Sequence, residues 1–180
     1  MFLYDKFFDY YGKTVAQILL SSEDIMMEIK KENLTNTFNT LIEQGIIPVV
    51  NENDSVSYAE IESTEKIFGD NDMLSAVVAV LCGADMLVIL SDIDGFYDKD
   101  PRLFKDAHLI ERIDDISDET YKLAGGAGSR RGTGGMRTKL QSADLATRSG
   151  IDVIVMNGKD PRKLYDIDEG KKVGTLFKAK

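Results

Sequence analysis

The chain has 180 residues, a net charge of −9 and a single cysteine, Cys82, so it can bury a hydrophobic core and cannot form a disulfide within itself. The acidic balance argues against nucleic acid or an anionic membrane as the main partner, because both would be repelled over most of the surface. No run of about 18 apolar residues occurs and the first residues lack the pattern of a secretion signal, so we expect a cytoplasmic protein without a membrane span.

Apolar runs alternate with helical patterns along the chain, which is typical of an α/β domain with an open, mainly parallel sheet between layers of helices. Strands are predicted over Val15–Leu20 and over residues 46–50, 86–90, 151–155 and 173–177. Helices are predicted over Asn71–Leu81 and over residues 33–44, 139–149 and 161–165. The charged segment 59–68 lacks periodicity and is predicted to be a loop or hairpin, so we expect one domain over residues 1–180.

Polar residues follow the predicted strand 46–50, in the run Asn51-Glu52-Asn53-Asp54. In open α/β sheets, ligands bind at the carboxyl ends of the strands. An ionised carboxylate at this edge can accept hydrogen bonds from the α-ammonium group of an amino acid. The same four residues could equally form a turn and a helix cap, and the pattern alone leaves both interpretations open.

A second polar group, Gly69-Asp70-Asn71-Asp72, opens the predicted helix Asn71–Leu81. Carboxylates at a helix start are favoured by capping and by the helix dipole, which is the purely structural interpretation. The free N–H groups of a helix start also bind anions. Asn71 and a backbone N–H can therefore bind a carboxylate, while the aspartates orient ammonium groups or bound metal ions.

A third group follows the predicted strand 86–90 and consists of Ser91-Asp92, Asp94-Gly95-Phe96-Tyr97 and Asp100-Pro101. Asp-Gly and Asp-Pro are ordinary turn formers. Their position after a buried strand is also suited to lining the base or ribose of a nucleotide.

The segment 128–139 contains four glycines and four cationic residues and leads into the predicted helix 139–149. Glycine backbone, fixed positive charge and a helix N-terminus together form a phosphate cradle, although a solvated basic loop is the alternative. The segment does not fit the P-loop pattern, because no Gly-Lys-Ser/Thr occurs. It also fails the dinucleotide fingerprint, because Arg137 stands where a glycine is required.

Four of these stretches, in order and at compatible spacing, resemble the amino-acid kinase family, in its glutamate-phosphorylating branch. Residues 47–54 and 68–76 are similar to the family's glutamate-binding region, and residues 83–97 to its nucleotide-side strand and loop. Residues 132–144 are similar to its ATP loop, and residues 173–177 to the end of its kinase domain.

The resemblance implies a role for each matching residue. Asp54 and Asn71 would bind L-glutamate with Asp70 close by, and Asp72 would orient the catalytic lysines. The residues that would contact ATP are Ser91, Asp92, Thr133, Gly134, Gly135, Met136, Arg137, Thr138 and Lys139. Lys139 would also act in catalysis, together with Mg²⁺.

The implied reaction phosphorylates the side-chain carboxylate of glutamate with ATP, as the first step of proline synthesis. The resemblance also implies a homo-oligomer and feedback by L-proline, whose site no single residue identifies.

Residues 1–4 resemble a region well inside the family domain, so the chain matches only its later part. The family's first catalytic lysine and its glutamate-binding serine have no counterpart here, and we expect the chain alone to have little kinase activity. The end at Lys180 leads us to expect no appended RNA-binding-type domain.

Two other interpretations stay open. Kinases for acetylglutamate, aspartate or UMP share the fold, and the absent lysine also suits a catalytically silent nucleotide-binding or oligomerisation module.

Overall fold

The computed structural model describes residues 1–55, 71–124 and 133–180. These residues form two compact units, Met1–Leu74 and Ser75–Lys180, whose boundary falls inside one helix. The segment 59–68, predicted to be a loop or hairpin, lies outside the described residues.

The first unit contains a pair of parallel strands. β1 (Val15–Leu20) pairs with β2 (Ile47–Glu52) in a register that runs from Val15↔Ile47 to Leu20↔Glu52. Parallel strands cannot be joined by a tight hairpin, so the chain crosses between them through helices. The helices described in this unit before β2 are α1 (Phe2–Asp9), α2 (Ser22–Met26) and α3 (Glu28–Glu43).

The crossover helix α3 ends just before Gly45, as predicted. Gly45 has a φ of 70°, and the N–H of Ile46 donates to the carbonyl of Leu41 at 2.9 Å. Glycine adopts this left-handed conformation without strain and is common just after a helix end. The helix begins at Glu28 rather than at the predicted residue 33, because residues 28–32 include strong helix formers that carry no apolar period.

The second unit contains a four-stranded sheet with the order β3-β5-β6-β4. Strands β3 and β5 are parallel, β6 and β4 are parallel, and only β5 and β6 are antiparallel. The α/β class with a mainly parallel sheet is therefore confirmed. The elements are α4 (Asn71–Leu81, which crosses the boundary), β3 (Met86–Ser91), β4 (Arg112–Ile113), α5 (Asp118–Ala124), α6 (Thr133–Arg148), β5 (Asp152–Asn157), α7 (Lys163–Asp168) and β6 (Thr175–Phe177).

The core of the second unit is formed by one face of this sheet and the helices α4, α5 and α6. Alternate residues of a strand point to the same face, so Ile89 on β3 joins Val153 and Val155 on β5. α6 contributes Leu140, Ala143 and Ala146, which are fully buried and spaced three residues apart. Small alanine side chains on this stripe let the helix backbone lie close to the sheet.

The predicted elements agree with the structure most closely where an apolar run is bounded on both sides by polar residues or glycine. Val15–Leu20 and Asn71–Leu81 are confirmed at both ends, and β3, β5 and β6 are displaced by one or two residues at their ends. α7 is displaced from the predicted residues 161–165. Four described elements were not predicted, namely α1, α2, β4 and α5. Over the described ranges, no helix has both the length and the apolar character needed to cross a membrane.

The hydroxyl of Thr175 joins β6 to the loop that follows β3. Thr175 is fully buried, its Oγ1 accepts the Phe96 N–H at 2.7 Å, and it donates to the carbonyl of Ile110 at 2.6 Å. The ring of Phe96 packs edge-on against Phe177, with centroids 6.3 Å apart. One buried hydroxyl therefore satisfies both a donor and an acceptor of an otherwise irregular loop.

Gly174 precedes this threonine and lies very close to β5. It has a φ of 62°, and a Cβ at this position would overlap the carbonyl oxygen of Val155. Only glycine fits the backbone conformation and the space at once.

A second anchor holds the carboxy-terminal segment against the start of β5. The Lys178 ammonium donates to both carboxylate oxygens of Asp152 at 2.9 and 2.7 Å, and the Ala179 N–H donates to Oδ1 at 2.7 Å. Burial works to raise the pKa of Asp152, but these hydrogen bonds outweigh it and the net pKa lies below the ordinary value.

We expect Thr175→Val to lower the free energy of unfolding by about 1–3 kcal/mol, because the buried Phe96 N–H and Ile110 carbonyl would both lose their partner. Chemical denaturation of the purified protein measures this. The control is Thr175→Ser, which keeps the hydroxyl; a serine variant as unstable as the valine variant would show that the hydroxyl is not what matters.

We expect Asp152→Asn to destabilise the protein by about 1–3 kcal/mol at neutral pH, because the ammonium of Lys178 would lose its carboxylate. The folded pKa of Asp152 is depressed, so the stability it contributes is present in full above the ordinary carboxyl pKa of about 4 and is lost as the pH falls through the lower folded pKa.

Denaturation curves of Asp152→Asn and the unchanged protein, measured across this pH range, should therefore converge at low pH. A difference in stability that stayed constant down to the lowest pH would contradict the assignment. Asp9→Asn, at an exposed position at the end of α1, is the matched control.

Candidate functional site

The carboxyl edge of the first unit carries the polar run predicted to bind an amino acid. The N–H of Asn53 donates to the carbonyl of Leu20 at 2.7 Å, so the strand pairing extends past the end of β2. Asp54 follows at once and is exposed at this edge. The strand includes Asn51 and Glu52 instead of ending at residue 50, because the parallel pairing with β1 continues through both.

The start of α4 carries the second polar group. Asn71 is the first helical residue and is exposed, whereas Asp72 lies in the first turn and is half-buried. A carboxylate in the first turn is stabilised by the helix dipole, which also favours an anion bound at a helix N-terminus. Asp70, the third residue predicted for this group, lies outside the described residues.

The described part of the glycine-rich segment, residues 133–139, is helical where a loop was predicted. α6 begins at Thr133, so the residues from Thr133 to Lys139 occupy its first two turns, and the predicted start at residue 139 was wrong. Residues 128–132 lie outside the described part of the chain.

Core packing sets the rotation of this helix start. Met136 packs against the core on the same stripe as Leu140 and Ala143, which leaves Arg137 exposed. Gly135 is also exposed, and no described atom outside its own helix turn lies within 4 Å of the place where a Cβ would stand.

The other residues of the motif lie on the next turn of the helix. The hydroxyl of Thr138 donates to the carbonyl of Gly135 at 3.1 Å, and Lys139 is half-buried. The start of α6 thus combines open glycine backbone with two cationic side chains, which suits a phosphate group.

The carboxyl edge of the second unit carries the third polar group. Ser91 ends β3, and its hydroxyl donates to the exposed carboxylate of Asp92 at 3.1 Å. Asn157 ends β5 and is the register partner of Ser91. The amide of Asn157 donates to Asp94 at 2.9 Å, and the Tyr97 hydroxyl donates to the other oxygen of Asp94 at 3.2 Å.

Asn157 was not among the predicted site residues. The same signal that drew attention to Ser91, a polar residue directly after an apolar strand, also marks this asparagine. Burial raises the pKa of Tyr97, and the neighbouring carboxylate of Asp94 raises it further, so its phenol stays protonated at neutral pH.

The predicted site residues fall into two sets by position in the fold. Asp54, Asn71 and Asp72 belong to the first unit, whereas Ser91, Asp92 and the motif at the start of α6 belong to the second. Among these residues, Ser91 is hydrogen-bonded to Asp92, and Thr138 is hydrogen-bonded to Gly135. In residues 1–55, 71–124 and 133–180, no three His, Cys, Asp or Glu side chains lie close enough together to hold a metal ion.

Curated relatives match the chain along nearly its whole length. A protein named glutamate 5-kinase from Clostridium perfringens is 53% identical over 180 residues, which is 100% of this chain and 66% of that protein. A glutamate 5-kinase from Caldanaerobacter subterraneus is 49% identical over 175 residues, which is 97% of this chain and 46% of that protein. The chain thus spans about half to two thirds of the length of these relatives.

Solved structures share the fold. The crystal structure of T. acidophilum isopentenyl phosphate kinase superposes with a TM-score of 0.57 and 21% identity, and covers 94% of this chain and 62% of that one. The family model described as the Amino acid kinase family matches residues 1–157, which include the carboxyl edges of both units and the start of α6. The chain therefore belongs to the amino acid kinase family.

Proposed function

We propose that the protein transfers the γ-phosphoryl group of ATP to the side-chain carboxylate of L-glutamate, forming γ-glutamyl phosphate and ADP. The observation that carries this proposal is the start of α6, where exposed Gly135 and Arg137 and half-buried Lys139 occupy the first two turns of a helix. The relatives at 53% and 49% identity, both named glutamate 5-kinase, support glutamate as the acceptor.

The nucleotide side of the proposal uses the second unit. The free N–H groups at the start of α6 and the absent side chain of Gly135 let phosphate oxygens approach the backbone. Lys139 adds a positive charge two turns into the helix. Ser91 and Asp92, at the carboxyl edge where ligands of open α/β sheets bind, contact the rest of the nucleotide in this proposal.

The glutamate side uses the first unit. The exposed carboxylate of Asp54 accepts hydrogen bonds from the α-ammonium of glutamate, and the side-chain amide of Asn71, at a helix start whose dipole favours an anion, binds a carboxylate. Asp70 stands next to Asn71 in the sequence. In this proposal Asp72, which follows Asn71, orients the catalytic ammonium groups.

The chemistry needs alignment and charge rather than a general base. The side-chain carboxylate of glutamate has an ordinary pKa of about 4.3 and is ionised at neutral pH. One carboxylate oxygen forms a bond to the γ-phosphorus while the bond to the β–γ bridging oxygen breaks, and ADP leaves with that electron pair. Both reacting groups are anionic, so Lys139 lowers the barrier by offsetting charge that spreads over the phosphoryl oxygens.

Magnesium enters this proposal as part of the substrate MgATP. Kinases typically hold Mg²⁺ through one or two carboxylates and the nucleotide phosphates. Among the described residues no three carboxylates lie close together, and we assign no step to a metal ion held by the protein alone.

The proposal places the reaction at the first step of proline synthesis in the cytoplasm. A homo-oligomeric assembly and feedback by L-proline belong to the same proposal. Both rest on the resemblance to the glutamate-phosphorylating branch of the family.

The experiment that tests the proposed function measures ADP release with MgATP and one acceptor at a time. It uses the intact protein, meaning this chain together with the amino-terminal part of the family domain, because we expect the chain alone to have little activity. Glutamate should support turnover, whereas acetylglutamate, aspartate and UMP should not. Turnover with one of these instead would identify a different kinase of the family. ATP binding without ADP release for any acceptor would indicate a silent nucleotide-binding module.

We expect Lys139→Ala to lower kcat about 100- to 1,000-fold while the KM for glutamate changes little, because the lysine acts mainly on the transition state. Steady-state kinetics with varied glutamate at saturating ATP measures both constants. The matched control is Lys122→Ala, at an exposed position near the end of α5. Unchanged turnover in the Lys139 variant would remove this residue from the mechanism.

We expect Asp54→Ala to raise the KM for glutamate roughly ten- to hundredfold, the loss typical of a hydrogen bond to a charged group. The KM for ATP should stay close to that of the unchanged protein. Asp9→Ala, at an exposed position of the same unit, is the matched control. An effect confined to ATP would show that Asp54 does not bind the acceptor.

A further inference from the structure

Asn157 connects the ends of two neighbouring strands through Asp94. Its side-chain Nδ2 donates to Oδ1 of Asp94 at 2.9 Å, across 63 residues of sequence. The second oxygen of Asp94 accepts the hydroxyl of Tyr97 at 3.2 Å. The Asp94 carboxylate therefore accepts one hydrogen bond from the end of β5 and another from the loop after β3.

The orientation of the Asn157 amide is fixed by the chain itself. Its Oδ1 accepts the N–H of Lys159 at 2.9 Å, which leaves Nδ2 to face Asp94. The next residue, Gly158, donates its N–H to the carbonyl of Ser91 at 2.8 Å. The loop after β5 is thus bonded to the end of β3 by both backbone and side chain.

These bonds hold the loop that follows Ser91 and Asp92 at a second point. Phe96 is already fixed by the buried hydroxyl of Thr175. Asp94 lies two residues before Phe96 and two residues after Asp92. With Asp94 bonded to Asn157, the short segment beside Ser91 and Asp92 is held from the end of β5 as well as from β6.

The hydrogen bond between Asn157 and Asp94 adds little to folding, because Asp94 is exposed and exposed polar pairs contribute little to stability. Its position matters more than its strength. It lies at the carboxyl edge of the β3–β5 pair, where Ser91 and Asn157 are register partners. A contact that barely stabilises the fold but fixes a ligand-binding edge changes ligand affinity by pre-organisation.

We propose that Asn157 is a positioning residue for nucleotide binding: by holding Asp94 it fixes the loop that carries Ser91 and Asp92 in the conformation that binds ATP. The inference rests on the proposed function for the identity of the nucleotide. Asn157 acts through Asp94 and makes no contact with the reacting atoms.

The test exchanges the two partners in the intact protein. In Asn157→Asp, two carboxylates face each other and repel. In Asp94→Asn, the amide oxygen can still accept the hydrogen bond from Asn157. In the double variant, the amide at position 94 donates to the carboxylate at position 157, so a bond of the same kind is restored with donor and acceptor reversed.

We expect Asn157→Asp to raise the Kd for MgATP about tenfold, as for loss of one charge-assisted hydrogen bond. The KM for glutamate and the thermal midpoint should remain near those of the unchanged protein, and Asp94→Asn should have the smaller effect. The double variant should recover most of the ATP affinity. Titration calorimetry measures the Kd, and thermal denaturation measures stability.

Three outcomes would overturn the positioning role. Unchanged ATP affinity in Asn157→Asp would show that the bond does not matter, and no recovery in the double variant would indicate that Asn157 contacts the nucleotide directly. Equal losses for ATP, glutamate and the thermal midpoint would indicate a role in folding only.

The positioning role of Asn157 and the proposed kinase reaction can be refuted by different measurements. Glutamate-dependent ADP release by the unchanged protein tests the reaction, whereas the Kd for MgATP across the exchanged pair tests Asn157. A protein that binds ATP with the expected pattern but releases no ADP would refute the proposed reaction and support the positioning role. A protein that does not bind ATP would refute both.

Discussion

The proposed nucleotide side of the protein depends on the parallel pairing of β3 with β5. This pairing makes Ser91 and Asn157 register partners, so the ends of two strands that are far apart in sequence supply polar groups to one edge. α6 packs on the same core and ends directly before β5, which fixes the helix relative to the sheet of its own unit. Parallel strands in an α/β layer bring their carboxyl ends together, and the proposed nucleotide site rests on that geometry.

The loop after β3 shows how an irregular segment can be held without regular secondary structure. Backbone groups that are buried need partners, and Thr175 supplies one for Phe96 and one for Ile110. Asp94 is held farther out by Asn157, in a more exposed setting. The segment is therefore held by a buried partner at Phe96 and by an exposed one at Asp94, which lies nearer the proposed nucleotide site.

Sequence patterns predicted the longer apolar elements well and the short or exposed ones poorly. Val15–Leu20 and Asn71–Leu81 were predicted at both ends, because each contains an apolar run bounded by polar residues or glycine. α1 was missed because it buries none of its residues, so no packing surface imposes a period on its aromatic side chains. β4 contains only two residues, and a strand that short leaves no pattern to detect.

The candidate site was predicted in part from the residues and in part from the resemblance. Polar residues after apolar strands marked Asp54, Ser91 and Asp92, and the structure places each at a strand end. The start of α6 was misread because glycine is a poor helix former. The packing of Met136 on the core overrides that propensity, and this tertiary contact is not visible in the sequence alone. The roles of the candidate site residues toward glutamate and ATP remain predictions.

Gly174 shows that intolerance to substitution need not indicate a role in chemistry. The carbonyl oxygen of Val155 occupies the place of any Cβ, and the left-handed backbone disfavours other residues independently. A saturation screen scored by growth would therefore reject every replacement at this position as strictly as at a catalytic lysine. Separating structural from catalytic positions requires measuring the amount of folded protein as well as growth. At Gly174 a replacement would reduce the quantity of folded protein rather than the turnover of each molecule.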